Sequence, residues 1–536
     1  MSSDSLTRRD FFGVSLAAGL SLATPRNGLW VPSDGAPGLI TSPRRRPLLP
    51  NGVQTGDVTS SRAIVWSRSD RPARMVVEWA TSDRFTDARR VSGPAALESN
   101  AFTAKMDLRD LPADEQIVYR VLFESLELPG TWSEPVIGRF RTAPPAEGAA
   151  PRSLRVAWAG DVVGQGWGID LDRGGLRIFD ALRRAEPDVF IHSGDIIYAD
   201  QPLESEVLLD DGTVWRNVVT EAKSKVAETL DDFRGNFAYN LDDPQTRDFG
   251  ASVPVIAQWD DHEVLNNWFP GQRLDANDAY TVKSVSLLAA RARQALFEFV
   301  PLRPQQDDRE QIYRSFSYGP LLDVFVLDLR SYRAPNSFNQ QPGGPETAMM
   351  GDAQFAWLKD SLSESRALWK VIACDMPIGL IVRDFPRDGQ PAFEAFANAD
   401  DGAASGRELE IADLLQFMKR QGIRNTVWVT ADVHYAAAHH YSPERAAFTD
   451  FDPFWEFVAG PMHAGTFGPN ALDGTFGPEV RFNSVPEGFV GNRPPSDDKQ
   501  FYGTLDIDPA TRALTAGIWD VTGRRLWQTE IAPADE

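Results

Sequence analysis

Along the second half of this chain, apolar residues gather in short runs. The residues that close each run are repeatedly carboxylates, a tyrosine or histidines. LRVAWAG hands over to Asp161, DVFIHSGDIIY delivers Asp195 and Tyr198, and VPVIAQWDDHE delivers Asp260, Asp261, His262 and Glu263. LLDVFVLDLR adds Asp328 and Arg330, WKVIACDMP ends on Asp375, and NTVWVTADVH ends on Asp432 and His434. Runs this short and this apolar predict buried strands. Between them LRIFDALRRA, SLLAARARQALFEFV, AQFAWLKDSLSES and RELEIADLLQFMKRQ carry apolar positions three and four residues apart, which predicts helices. The alternation predicts a layered α/β domain, and such sheets collect their ligands beyond the carboxyl ends of the strands. Carboxylates crowded into one crevice repel one another unless cations neutralise them. The pattern therefore points to a polynuclear metal site.

The first half reads differently. From 51 to 144, SRAIVWSRS, ARMVVEWATS, VYRVLFESL and GRFRTAP alternate or run apolar between turn residues and carry no ligand cluster. This predicts a small β-sandwich, similar to a fibronectin type III module. The Pro-, Ala- and Gly-rich stretch Thr142–Ser153 separates it from a catalytic domain expected over 154–532. Polar, acidic stretches at Gln201–Pro244 and Asn336–Met350 are expected to be long surface loops. The closing segment, YGTLDIDPATRALTAGIWDVTGRRLWQTEI, predicts a β-meander turning at DPAT and TGR.

Composition narrows the function classes. A formal net charge of −22 disfavours stable binding to a nucleic-acid backbone. It leaves phosphate substrates open, because bound cations reverse the local field. With Cys374 as the single cysteine, neither an internal disulfide nor a cysteine-based zinc site is available. The opening segment, LTRRDFFGVSLAAGLSLATPR, pairs Arg8 and Arg9 ahead of roughly thirteen apolar residues, a signal-like core too short to span a bilayer. It resembles a twin-arginine export signal over 1–30. That implies delivery of a folded, cofactor-loaded protein through the Tat translocation machinery to the periplasm or the medium, with no membrane span in the mature chain.

The ligand types suggest particular metals. Asp195, at a strand end, can bridge two cations, and Tyr198 three residues on offers a hard phenolate that favours Fe(III) over Zn²⁺. His262 beside Asp261 can hydrogen-bond a phosphoryl oxygen or protonate a leaving group. Asp432 and His434, two apart in an extended segment, point the same way. Arg330 could clamp a phosphate oxygen or pair with Asp328. His192, His439, His440 and Cys374 are expected to be structural, while His463 could line the pocket.

The order Asp, GD-x-x-Y, then an Asp-His pair, an Asp before Pro, and D-x-H resembles the calcineurin-like and purple-acid-phosphatase-like metallophosphoesterases. GDIIY, WDDHEVLNNW, CDMP, DLRSYR, ADVH and FVAGPMHAGTFGP resemble the alkaline phosphatase D family in particular. The resemblance implies a metallophosphoesterase β-sandwich flanked by helices, preceded by the all-β domain. It further implies a hydrolase of small-molecule phosphomonoesters and phosphodiesters that uses a metal-activated hydroxide. On that pattern one metal takes Asp161, Asp195, Tyr198 and His434, a set suited to Fe(III). A second takes Asp195, Asp261, Asp375 and Asp432, all oxygen and suited to Ca²⁺, with Asn266 as an extra ligand. Asp161 stands where family members commonly carry cysteine. Alternatives at the same site are a dedicated phosphodiesterase or phospholipase D-type hydrolase, or a calcium-binding protein without catalysis.

Overall fold

The computed structural model describes residues 42–147, 151–387 and 389–534, so the export-signal segment lies outside the described residues. Its centre is a pair of large sheets packed face to face. One has nine strands in the order Arg525–Ile531, Leu514–Asp520, Phe501–Ile507, Leu154–Ala159, Val189–Ser193, Val255–Gln258, Val53–Gly56, Ala63–Arg68, Thr103–Leu108. The other has seven: Arg314–Tyr318, Leu322–Val326, Trp369–Ala373, Thr426–Thr430, Phe454–Val458, Ala437–Tyr441, Pro478–Asn483.

The unbroken apolar runs follow from burial on both faces. In Val189–Ser193, Val189 and Ile191 enter the core between the sheets, whereas Phe190 faces outward to the helices Ile178–Arg184 and Pro244–Gly250. In Trp369–Ala373, Trp369, Val371 and Ala373 point inward, and Ile372 packs outward with residues of the helices Asp352–Glu364 and Glu408–Gln421. Helices Leu230–Leu241 and Val285–Phe299 cover the outer face around Ala257 and Trp259. The result is a helix-flanked β-sandwich, the layered fold the chain pattern predicts.

Parallel pairing sets the site. Val156 is in register with Val189 and Phe190 with Val255, so three strands end side by side on one sheet. On the facing sheet Val324, Val371, Val427 and Trp455 fall in successive register, all running the same way. The carboxyl ends of both parallel sets carry the acidic residues.

The N-terminal region is all-β, but its two sheets are not equivalent. Arg89–Ala96, Ala73–Ala80, Gln116–Ser125 and Val136–Arg141 form a separate four-stranded sheet. The other three strands extend the nine-stranded sheet, joined where Gly56 pairs with Val255. The stretch Gln201–Pro244, expected as loop, instead contains the hairpin Glu206–Leu208/Val214–Arg216 and the helix Leu230–Leu241. That helix starts at a Thr229 capping box with Asp232 and buries Phe233, Phe237 and Leu241, one per turn. Gly235 and the polar residues between them mask this spacing in the sequence. Among the described residues no helix is long and apolar enough to cross a membrane.

Candidate metal centre

The loops that follow the parallel strands are held in costly conformations. Asp161 (φ 72°), Asp195 (φ 49°), Asp432 (φ 66°) and His434 (φ 61°) all adopt left-handed backbone geometry. Non-glycine residues pay for that conformation, and such outliers cluster where function requires them. Glycines make room: a Cβ on Gly194 would collide with Asp260, and one on Gly460 with the Asp161 carboxylate.

Asp161 is fully buried, and neither of its carboxylate oxygens has a hydrogen-bond partner. Burial pushes its pKa well above the usual range, and Asp261 and Glu263 add like-charge repulsion. Asp195 is raised for the same reasons. Beside them, His434 Nδ1–H donates to the Gly465 carbonyl at 2.6 Å, which leaves Nε2 as a lone-pair donor. Burial lowers the His434 pKa to about 4, so the imidazole is neutral, the form that binds metals. The Tyr198 hydroxyl lies 2.7 Å from Nε2, and Asp161 Oδ1 lies 3.7 Å from it. Burial raises the Tyr198 pKa well above 10, and Asp195 and Asp161 raise it further, so only a nearby cation would make it a phenolate.

Three sets of ligand atoms lie within 4.8 Å of one another: Asp161, Asp195 and His434; Asp195, Asp261 and His262; Asp260, Asp261 and Asp432. An unpartnered buried carboxylate among neutral imidazole and oxygen donors fits bound cations. Asp195 belongs to two of these sets, as a bridging ligand must.

Several expected residues sit differently from the motif pattern. Asp375 is absent from these sets. It is buried against Arg330, whose Nε donates to Asp375 Oδ2 at 3.2 Å and to Asp260 Oδ1 at 2.7 Å. Asp260 groups with Asp261 and Asp432, and Asp375, with one oxygen left without a partner, lies outside that group. Arg330 itself is fully buried. Its guanidinium contacts Asp260, Asp375 and Glu394, with Asp432 at 3.6 Å, so it backs the acidic floor instead of reaching substrate. It does not pair with Asp328 through its side chain: Asp328 Oδ1 accepts from Trp259 Nε1 and from the Arg330 backbone.

His262 stacks on Tyr198, with ring centroids 4.2 Å apart, and its Nδ1 meets Asp200 Oδ1 at 2.7 Å. Burial alone would lower its pKa, but Asp200, Asp261 and Asp195 together raise it well above the ordinary value. Asn266 lines the cleft, and its backbone N–H donates to Asp200 Oδ2 at 2.9 Å. His463 does not line this cleft. Its backbone N–H holds the Asp161 carbonyl at 2.9 Å, and its Nε2 lies 3.1 Å from the Gly168 carbonyl. His439 pairs with Glu456 and His440 packs on Trp455, both remote structural contacts. Cys374 is buried, its thiol donating to the Met376 carbonyl.

Sequence reasoning missed Asp200, Glu394 and the place of Asp260 in a candidate oxygen set. Asp200 was within reach, two residues past Tyr198. Glu394 follows the strand Gln390–Phe393 of a short hairpin with no run of its own to mark it. The cleft has a volume of about 460 Å³, with Asp195, Asp261, His262, Glu394, Asp432 and His434 along its walls.

A helix-flanked sandwich with an acid- and histidine-rich centre at facing strand ends is the architecture of metallophosphoesterases. The PhoD-like phosphatase model matches residues 156–518 and the PhoD-like phosphatase N-terminal domain model matches 35–144; the chain belongs to the PhoD-like phosphatase family. The protein is thus a phosphoric ester hydrolase. Alkaline phosphatase D of Bacillus subtilis (strain 168) is 28% identical over 468 residues, covering 82% of this chain and 74% of that protein. The solved structure of PhoD matches with a TM-score of 0.65 at 22% identity, covering 90% of this chain and 92% of that one. The purple acid phosphatase PPD1 from yellow lupin (Lupinus luteus) seeds matches with a TM-score of 0.55 at 12% identity, covering 90% and 75%. At these identities the two structures speak to the fold.

Proposed function

We propose that the protein is an exported phosphoric ester hydrolase acting on small phosphomonoesters and phosphodiesters, with Fe(III) held by Asp161, Asp195, Tyr198 and His434. Ca²⁺ would be held by Asp195, Asp260, Asp261 and Asp432, an all-oxygen set, with Asn266 at its edge. The observation that carries this reading is the buried Asp161 carboxylate, whose two oxygens have no partner among the phenol, imidazole and carboxylates around it. The paired arginines of the opening segment support export by the twin-arginine route.

Bound cations would neutralise phosphoryl oxygens and ease ionisation of coordinated water. The chain's own groups do the rest. Asp200 fixes His262 through Nδ1 and keeps the ring protonated, so the other ring nitrogen can deliver a proton to the departing alkoxide. Arg330 balances Asp260, Asp375 and Glu394 from behind, which holds the floor rigid without using a metal.

Elemental analysis of the full chain, paired with a calcium-selective chelator, tests the assignment. Iron should remain bound while activity on aryl mono- and diesters falls, and Ca²⁺ should restore it better than Zn²⁺. Full activity after chelation, or an iron-free protein that is fully active, would overturn the metal assignment.

A further inference from the structure

We infer that the mouth of the metal cleft recognises a flat aromatic group on the alcohol part of the phosphate ester, with Phe385 as its stacking platform. The inference rests on the hydrolase reading above and names the substrate class of the same site.

The cleft is two-sided in chemistry. Its inner wall is Asp195, Asp261, Asp432 and the two histidines; its outer wall adds Val382, Phe385, Pro386 and Phe467. At about 460 Å³ it falls in the range of pockets that enclose a whole small molecule, so there is room beyond a phosphoryl group. Phe385 is 79% exposed, the most exposed large hydrophobic side chain among the described residues. A phenyl ring left in water at the mouth of a polar cleft is a recognition feature when its position is fixed.

Here the chain on either side of the ring is held. Phe385 lies on the strand Arg383–Arg387, in the irregularity between Asp384, in register with Ala392, and Arg387, in register with Gln390. The neighbouring Asp384 accepts from Asn267 Nδ2 at 3.1 Å, Asn336 Nδ2 at 3.0 Å and Arg387 at 2.9 Å. Asn267 also donates its backbone N–H to Asp261 Oδ2 at 2.6 Å, so the platform and the acidic wall share one hydrogen-bonded frame. Arg383, which also lines the cleft, lies over Phe393 at 5.2 Å, and Arg387 lies over Phe269 at 4.8 Å. They brace the hairpin, and Phe385 is the aromatic ring this strand presents at the cleft. An ester whose phosphoryl group sits among the acids and cations would lay an aromatic alcohol against this ring, whereas a short alkyl ester would not reach it.

The experiment compares naphthylmethyl phosphate with ethyl phosphate, both alkoxide leaving groups, on the metal-loaded full chain and on Phe385→Ala, Phe385→Leu and Phe385→Trp. The Phe385→Ala loss in kcat/KM, seen in KM, should be about tenfold greater for the naphthylmethyl ester than for the ethyl ester. Phe385→Trp should restore it and Phe385→Leu only partly. Equal losses for both esters, or full restoration by leucine, would overturn the inference. If the wild type turns over neither ester, the hydrolase reading fails separately. Calorimetric binding of naphthylmethyl phosphonate and ethylphosphonate then decides the platform: selective weakening of the aromatic ligand by Phe385→Ala supports it, and unchanged selectivity overturns it.

Discussion

At Asp161 both backbone and side chain are held against their intrinsic preferences, with φ at 72° and a buried carboxylate that has no partner. Without a cation that charge destabilises the fold; with one it is a ligand. Asp161→Asn should therefore split stability from function. In metal-stripped protein the variant should melt above the wild type, by roughly 1 °C for each kcal/mol relieved. Because burial raises the Asp161 pKa, the stripped wild type loses stability as pH climbs above the ordinary carboxylate range, so the gap should widen with pH. Iron should raise the melting temperature of the variant less than that of the wild type, and activity should fall to background. A stripped variant less stable than stripped wild type at high pH would contradict this account. The same reasoning separates Asp161 from Asp375, whose charge Arg330 already balances.

At the scale of single elements, the helix Val285–Phe299 shows how the N-terminal region is tied to the catalytic layer. Its last carbonyls lack intrahelical donors, and Lys105, on the strand Thr103–Leu108, reaches one of them: Nζ contacts the carbonyl of Phe297 in the last turn and those of Val300 and Leu302 just beyond it. Burial lowers the Lys105 pKa from 10.5 to about 8. Between pH 8 and 10.5 the unfolded chain thus holds a proton that the folded chain has released, and stability from this group rises with pH across that window. Melting curves of wild type and Lys105→Met should shift in favour of wild type from pH 8 to 10.5. A difference that stays flat over the window would show that the amine does not titrate there.

Across the whole molecule, three bodies of secondary structure meet at Asp57. Its carboxylate accepts from Arg314 NH2 at 2.7 Å and Nε at 3.2 Å, and from the Arg303 backbone at 2.6 Å. Arg314 belongs to the seven-stranded sheet, while Asp57 follows the strand that joins the N-terminal region to the nine-stranded one. Removing one partner of a buried pair leaves an uncompensated charge, so Asp57→Ala should cost about 3–5 kcal/mol. Because the sheet runs continuously through both regions, the loss should appear within a single calorimetric transition. A loss below about 1 kcal/mol, as for an exposed pair, would contradict this role, and so would an early separate transition.

The strand runs, the helices at Ile178–Arg184, Val285–Phe299, Asp352–Glu364 and Glu408–Gln421, and the residues ending each run were all legible in the chain, because burial on both faces writes itself as local periodicity. The candidate ligands Asp161, Asp195, Tyr198, Asp261, Asp432 and His434 were legible as residue types for the same reason: they close strands whose apolar runs point to them. Tertiary structure decided what no local pattern encodes. Asp260 and Asp375 both follow apolar runs, and only the fold brings Arg330 against both and groups Asp260 with Asp261 and Asp432. Asp200 and Glu394 became parts of the site through long-range contacts with His262 and Arg330. Local sequence fixes which groups a strand end offers; which of those groups keeps its charge free for a cation depends on partners that come from distant elements and meet only in the fold.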